Sequence, residues 1–407
     1  MRWPIYEGST LGAENGVRGI TGEIGHEGSS GNPVMVIAEQ LRRKVPGGIG
    51  TYTSGLLDGL AALHRSGTVI PEVTVFASRP PTLPDPLSTF GFQVETSRLP
   101  SRLLTRAWDK ELFRVRGDFP VVHATSFAFP RVPQDSALVV MVHDMAWRHL
   151  PDAYPPRGRR WHEEALKRAL LRARTFVVPS AEVADDLVAS GAAQASVNIV
   201  AEGCDHLPPP DHLGASTLLS QLGVNGPPYL LSVGTLEPRK NLSRLIEAYR
   251  LVRPSLPDPW PLVVVGPAGW GPDHGPGPGS ASYTTSGSTN SGTDGVVFAG
   301  RVDSTVLAAL YDQARLLAYV PLAEGFGLPP VEAMHAGIPV VSSSLPSVGS
   351  AALIVDPLSV DSIAEGLMTA ALDDKVRADL IAAGTAHAAG LTWSATAARH
   401  VALWGSA

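Results

Sequence analysis

Residues 321–344 read PLAEGFGLPPVEAMHAGIPVVSSS, and their local grammar is loop, helix, strand. The preceding RLLAYVPL is a buried strand. Pro329 and Pro330 stand where a helix begins, because a ring that fixes φ suits the first helical turn. Gly337 and Pro339 close that helix, and PVVSSS opens the next strand. Glu324 therefore falls in the loop at a strand's carboxyl end, and Glu332 on the helix that follows. In open α/β sheets that rim is where ligands bind. Taken alone, the two acids also read as a helix cap and an ordinary surface Glu.

The same unit recurs on both sides. Short β-branched runs lie upstream: PVMVIA from 33, EVTVFAS from 72, PVVHATS from 120, ALVVMVHD from 137, TFVVPS from 175 and VNIVAEG from 197. A Pro-rich patch at 206–214, HLPPPDHLG, reads as a linker. The series resumes with PYLLSVG from 228, PLVVVG from 261, GVVFAG from 295, LLAYVPL from 316, PVVSSS from 339 and AALIVDP from 351. Runs this apolar suit parallel strands covered on both faces, with helices such as NLSRLIEAYRLV between them. Two series imply an α/β protein of two doubly wound domains facing a cleft, the first over 33–206 and the second over 207–390. Residues 1–32 are polar and Gly-rich and read as a disordered extension. Residues 272–295, with no Lys or Arg, read as a flexible insertion.

The bulk composition agrees and excludes several classes. A chain of 407 residues, 44% hydrophobic, exceeds one ordinary core. A net charge of −6 argues against a nucleic-acid partner. The single cysteine, Cys204, rules out an internal disulfide and suits a reducing compartment. The start has no apolar signal core and no run of about 18 apolar residues occurs, so the expected location is cytoplasmic. P-loop, G-x-G-x-x-G, H-E-x-x-H, paired C-x-x-C, D-x-D and G-x-S-x-G patterns are all missing. No metal or cofactor is expected on that basis.

Several residues remain to carry chemistry. Arg239 and Lys240 follow a strand at the start of a helix near Asn241, where helix dipole and cations together would hold a diphosphate. Gly47, Gly48 and Gly50 lie directly ahead of a helix and would let backbone amides approach a phosphate or sugar; a plain tight turn is the alternative. His143, beside Asp144 at a strand end, either donates to a phosphate or hydroxyl or is a bonded core histidine; His123 is a weaker candidate of that kind. Arg157, Arg159, Arg160, Lys167, Arg168, Arg172 and Arg174 concentrate near one helix, as a solvated face or as a peripheral contact with anionic membrane.

Taken together, PGGIGTY, VHDMAW, VGTLEPRKN, FAGRVD and EGFGLPPVEAMHAGIPVV resemble the retaining glycosyltransferases of family 4, in the expected order from about residue 33 to the C-terminus. The resemblance implies the GT-B fold and transfer of a hexose from a nucleotide-sugar donor to a glycan or lipid-linked acceptor, in polysaccharide or glycolipid synthesis. It implies that Arg239 and Lys240 hold the donor diphosphate, with Gly48, Gly50 and Gly234 nearby. Glu324 would contact the sugar hydroxyls beside the amides of Phe326, Gly327 and Leu328. Glu332 would bind the ribose, the backbone at Arg301 and Val302 would face the base, and His143 would sit near the reacting sugar. It further implies that TWSATAARHVALW is a C-terminal helix, within 391–407, that crosses back to the first domain. HATSFAFP and VHDMAW favour mannosyltransferase-like members, hence GDP-mannose. Ser347 stands where many members carry an acid. An epimerase of the same fold and a silent nucleotide-binding scaffold are the alternatives.

Overall fold

The computed structural model describes residues 31–81, 83–269 and 294–407. The expected extension up to residue 30, and the expected insertion up to residue 293, lie outside the described residues. The first sheet holds β1 (Val34–Ile37), β2 (Val73–Ala77), β3 (Gln93–Thr96), β4 (Val121–Ala124), β5 (Ala137–Met141), β6 (Thr175–Val178) and β7 (Val197–Ile199). Its order is β3-β2-β1-β4-β5-β6-β7, parallel throughout. The second holds β8 (Leu230–Val233), β9 (Leu262–Val265), β10 (Val296–Gly300), β11 (Leu316–Tyr319), β12 (Val340–Ser342) and β13 (Leu353–Ile354). Its order is β10-β9-β8-β11-β12-β13, again parallel.

Helices cover both sheets: α1 (Gly47–Arg65), α2 (Ser101–Asp109), α3 (Ala146–His149), α4 (Pro156–Arg172) and α5 (Ala181–Ala189) go with the first, and α6 (His212–Gln221) opens the second set. α7 (Leu242–Val252), α8 (Ser304–Gln313), α9 (Leu328–His335), α10 (Val360–Leu372), α11 (Asp374–Ala388) and α12 (Trp393–Ser406) follow.

The apolar runs became strands because both faces are buried. Successive β1 residues point to opposite sides, so Val34 and Val36 join a core that also contains α1, while Met35 and Ile37 join one with Trp108 and Leu166. The strand absent from the sequence reading is β3, QVET. It lies at the sheet edge with one neighbour, so it needs no apolar run. The Pro-rich patch is only partly a linker, since α6 begins at His212, with Asp211 capping the amide of Gly214 at 2.9 Å.

α12 packs on α1. Its approach needs small residues: a Cβ at Gly55 would stand 2.1 Å from the Trp393 ring, and one at Gly59 2.2 Å from the Trp393 carbonyl oxygen. A buried polar chain ties the contact. The Thr396 carbonyl can only accept, so His400 donates to it from Nδ1 at 2.8 Å and accepts at Nε2 from the Tyr52 hydroxyl at 2.8 Å. His123 Nε2 lies 3.3 Å from the same hydroxyl. His123 is thus fully buried in this tie, against Trp404, and does not stand at a rim.

Burial holds both rings neutral. It lowers the His400 pKa from 6.5 to about 4 and pushes that of His123 well down, with His400 and His143 adding to the effect. The stability the neutral His400 ring contributes is complete above pH 6.5 and is lost as the pH falls toward 4, because the unfolded chain takes up protons first. Urea unfolding is therefore expected to show a loss of about 3 kcal/mol across that window from His400. His400→Gln should flatten that part of the slope. An unchanged slope in the variant would contradict the buried neutral ring.

Candidate active site

In the second sheet, β8 and β11 are neighbours although their connections run to opposite sides, which makes the gap beyond their carboxyl ends the topological switch point. The loop after β8 carries Arg239 and Lys240 in a short 3-10 turn, Pro238–Lys240, ahead of α7. The loop after β11 carries Glu324. Backbone ties lock the two together: Leu322 N donates to the Arg239 carbonyl at 2.8 Å, and Arg239 Nη1 to the Ala323 carbonyl at 3.2 Å. Asn241 tolerates its left-handed φ of 58° and donates its amide to the carbonyls of Val320 at 3.0 Å and Pro357 at 2.7 Å.

The charges meet at Glu324. Arg239 Nη1 lies 2.8 Å from its Oε2, Lys240 Nζ binds its Oε1, and the Tyr319 hydroxyl donates to Oε1 at 2.6 Å. Lys240 also donates to Tyr319 Oη at 2.7 Å. Glu237 Oε1 stands 2.5 Å from Arg239 Nε. Burial would raise the Glu324 pKa, but the two cations and these hydrogen bonds outweigh it and bring the group down to about 2. Burial and the neighbouring Arg239 lower the Lys240 pKa. Burial raises that of Glu237 against the pull of Arg239 and Lys240. The result is two cations preorganised around one carboxylate, with Gly234, Thr235 and Tyr319 lining the hollow beside Lys240. Such a cluster can hold an anion and hydrogen-bond hydroxyls without rearranging.

The first domain closes over this point through backbone. A Cβ at Gly325 would stand 1.7 Å from the His143 carbonyl oxygen and 2.9 Å from the Asp144 Cβ, so the loops after β5 and β11 touch. The His143 ring is turned inward. Its Nε2 donates to the Thr125 carbonyl at 2.9 Å, its Nδ1 lies 3.4 Å from Glu202 Oε1, and the Tyr52 ring meets it edge-on at 4.9 Å. Of the two sequence readings of His143, the hydrogen-bonded one describes its nitrogens. Asp144 adds a negative charge that helps hold Arg239 protonated from across the cleft.

The remaining candidates fall around this center. Gly47, Gly48 and Gly50 do not precede α1 as expected; the helix starts at Gly47, so they form its first turn. A Cβ at Gly48 would meet open space, whereas one at Gly50 would strike Pro46 at 2.2 Å. Arg301 donates to the Lys44 carbonyl at 3.1 Å, a second bridge between the domains, and Val302 packs on the core. Gly327 caps α9 at a φ of 99°, which a side chain would strain. Phe326 and Leu328 bury their side chains, leaving the first amides of α9 outside its own hydrogen-bond ladder. Ser347 is a structural tie here, donating to the Gly327 carbonyl at 2.7 Å. Glu332 is buried on α9, with Tyr311 Oη 2.7 Å from Oε2 and His206 Nε2 3.3 Å from Oε1.

Four neighbors went unassigned in the sequence. Glu237 and Tyr319 sit inside motifs already singled out, two residues before Arg239 and at the end of β11, but nothing in the spacing shows which way they point. His206 lay in a patch read as a linker, and Tyr311 on an ordinary amphipathic helix. Part of the basic stretch is paired: Arg168 with Asp109 at 3.0 Å, Arg172 with Glu111 at 2.5 Å and Lys167 with Glu164 at 3.0 Å, the last pair on the surface, while Arg157, Arg160 and Arg174 are exposed. Cys204 is buried, its thiol pushed up to about 12 by burial, and so is inert. Among the described residues no helix is long and apolar enough to cross a membrane, and no His, Cys, Asp and Glu cluster is placed to hold a metal ion.

Known proteins carry the same organisation. The family profile for glycosyl transferases group 1 matches residues 218–387, and that for Glycosyltransferase Family 4 matches 46–206. O-antigen chain mannosyltransferase B of Escherichia coli is 30% identical over 288 residues, 67% of this chain and 71% of that protein. D-inositol 3-phosphate glycosyltransferase of Kribbella flavida is 28% identical over 74% of this chain and 75% of its own. The solved structure of Anabaena HepE in complex with UDP and glucose superposes with a TM-score of 0.65 at 17% identity, over 92% of this chain and 100% of that one. WaaG, a glycosyltransferase involved in lipopolysaccharide biosynthesis, gives 0.62 at 16% identity, over 92% and 100%. At such identities the two structures establish the shared fold.

Proposed function

The chain belongs to the family 4 glycosyltransferases of the GT-B fold, and from that premise we propose that it moves a mannose unit from GDP-mannose to a growing glycan in polysaccharide synthesis, with retention of anomeric configuration. One observation carries the proposal: Arg239 and Lys240 converge on Glu324 at the switch point of the second sheet, facing the loop of His143 and Asp144. In this reading the cations take the diphosphate as it departs, and Glu324 accepts hydrogen bonds from the sugar. The closed cleft excludes water while positive charge develops on the ring. The acceptor hydroxyl attacks from the side the phosphate leaves, so no protein nucleophile takes part. The mannosyltransferase relatives favour mannose, and HepE, whose structure holds UDP, keeps UDP-sugars as the comparison set. No observation favours the epimerase.

Arg239 and Lys240 supply the charge neutralisation that a metal would otherwise bring, so transfer is expected to persist in excess EDTA. A thermal-shift screen of GDP-mannose, UDP-glucose and related donors comes first; a donor at about a hundred times its Kd should stabilise the chain by about 2.7 kcal/mol. NMR of the glycoside product then gives the anomeric outcome. Inversion, or an absolute need for Mg²⁺ or Mn²⁺, would overturn the mechanism. Stabilisation by nucleotide without turnover on any acceptor would favour the scaffold. Peripheral membrane contact would fall to Arg157, Arg160 and Leu171, which α4 leaves exposed. Cosedimentation with anionic vesicles tests it.

A further inference from the structure

His206 opens the segment between the two sheets, where the chain first passes from one domain to the other. The second passage, ahead of α12, is stitched to it: Cys204 N donates to the Leu391 carbonyl at 2.9 Å, and Trp393 N to Asp205 Oδ1 at 2.7 Å. Gly203 is pressed so close that a Cβ would stand 2.4 Å from Trp393 N. Into this seam His206 places both ring nitrogens. Trp393 Nε1 lies 3.2 Å from Nδ1, and an indole N–H can only donate, so Nδ1 is the bare acceptor. The ring proton is then on Nε2, which faces Glu332 Oε1 at 3.3 Å. Tyr311 Oη donates to the other carboxylate oxygen at 2.7 Å.

A continuous donor chain therefore runs from Trp393 through His206 to Glu332. Each oxygen of that carboxylate has one protein donor and one lone pair left for a ligand. Without His206, Glu332 would be a buried carboxylate held at one oxygen, free to rotate about its last torsion.

We propose that His206 is a positioning residue for Glu332, and that through Trp393 it makes the grip on a nucleotide's ribose depend on the seam between the two interdomain passages. This rests on the reading that Glu332 meets the ribose diol. Trp393 is itself set by the packing of α12 on α1, so the first domain biases how the second holds its nucleotide. The coupling needs no movement of the diphosphate clamp, which lies on other loops.

The test is isothermal titration of the full chain with GDP and UDP, each beside its 2′,3′-dideoxy counterpart. The wild type should prefer the ribonucleotide by about tenfold. His206→Ala should lose most of that preference while the dideoxy affinity stays put. His206→Gln, whose amide can replace the Nε2 donor, should restore it, and Trp393→Phe should fall between. In a Glu332→Gln background His206→Ala should have no further effect on the preference. If His206→Ala fails to fold, the Gln and Phe variants and the cycle built on them still decide. Equal loss for ribo- and dideoxy-nucleotides would mean a structural role and overturn the inference, as would full preference in the Ala variant. A wild type that binds but does not discriminate removes the ribose from Glu332 and overturns it too. A wild type that binds neither nucleotide overturns the proposed function itself, and the inference with it.

Discussion

Lys240→Ala is expected to lower kcat/KM by about 30- to 1000-fold, the equivalent of about 2–4 kcal/mol of transition-state stabilisation, while leaving the chain folded. The asymmetry comes from Glu324. With Lys240 gone, that carboxylate keeps Arg239 at 2.8 Å and the Tyr319 hydroxyl at 2.6 Å, so no buried charge is stranded. In the proposed mechanism the departing diphosphate would lose one of its two cations in a site shielded from water, where each counts most. Arg239→Ala should be as damaging to rate but should also cost about 3–5 kcal/mol of stability, because Arg239 pairs with the buried Glu237 carboxylate and also anchors the Glu324 loop through the Ala323 carbonyl. Steady-state kinetics and urea midpoints on both variants separate the two effects. Kinetics within threefold of wild type in Lys240→Ala would place the leaving group elsewhere.

The contrast between these two cations shows what the sequence could and could not disclose. That Arg239 and Lys240 follow a strand was legible, because PYLLSVG is apolar on both faces and the helix after it is amphipathic. Which of them also holds the loops together was not, since it depends on the Arg239 guanidinium reaching the Ala323 carbonyl. Continuous apolar runs located the strands buried on both faces for the same reason that they missed β3, an edge strand whose residues are only partly buried. His143 and His123 looked alike as histidines at strand ends. One strand of displacement separates a ring beside the cleft from one sealed beneath α12, and strand order is not written in either local sequence. His206 was hidden by its neighbours: three prolines read as a linker, and the partner that gives it meaning, Trp393, is nearly the full length of the second domain away.

Gly325→Ala is expected to lower kcat/KM by at least about 100-fold while nucleotide binding and unfolding midpoint stay near wild type. The added methyl would stand 1.7 Å from the His143 carbonyl oxygen, an overlap that no rotamer can relieve because the obstacle is backbone. Either the cleft opens or the loop carrying Glu324 retreats, and both separate the acceptor side from the donor sugar by distances that matter to transfer. The cluster of Arg239, Lys240 and Glu324 lies within the second domain, so a nucleotide held there as proposed should still bind. Gly266→Ala makes the control: its methyl would lie 1.9 Å from the Gly234 carbonyl oxygen, just past the ends of β9 and β8 within one domain, and should cost stability as well as rate. Titration with nucleoside diphosphate, thermal melts and single-turnover transfer distinguish the two. A Gly325→Ala enzyme that turns over within threefold of wild type would mean that catalysis runs with the domains farther apart than they stand here, and the contact between His143 and Gly325 would then belong to the resting enzyme alone.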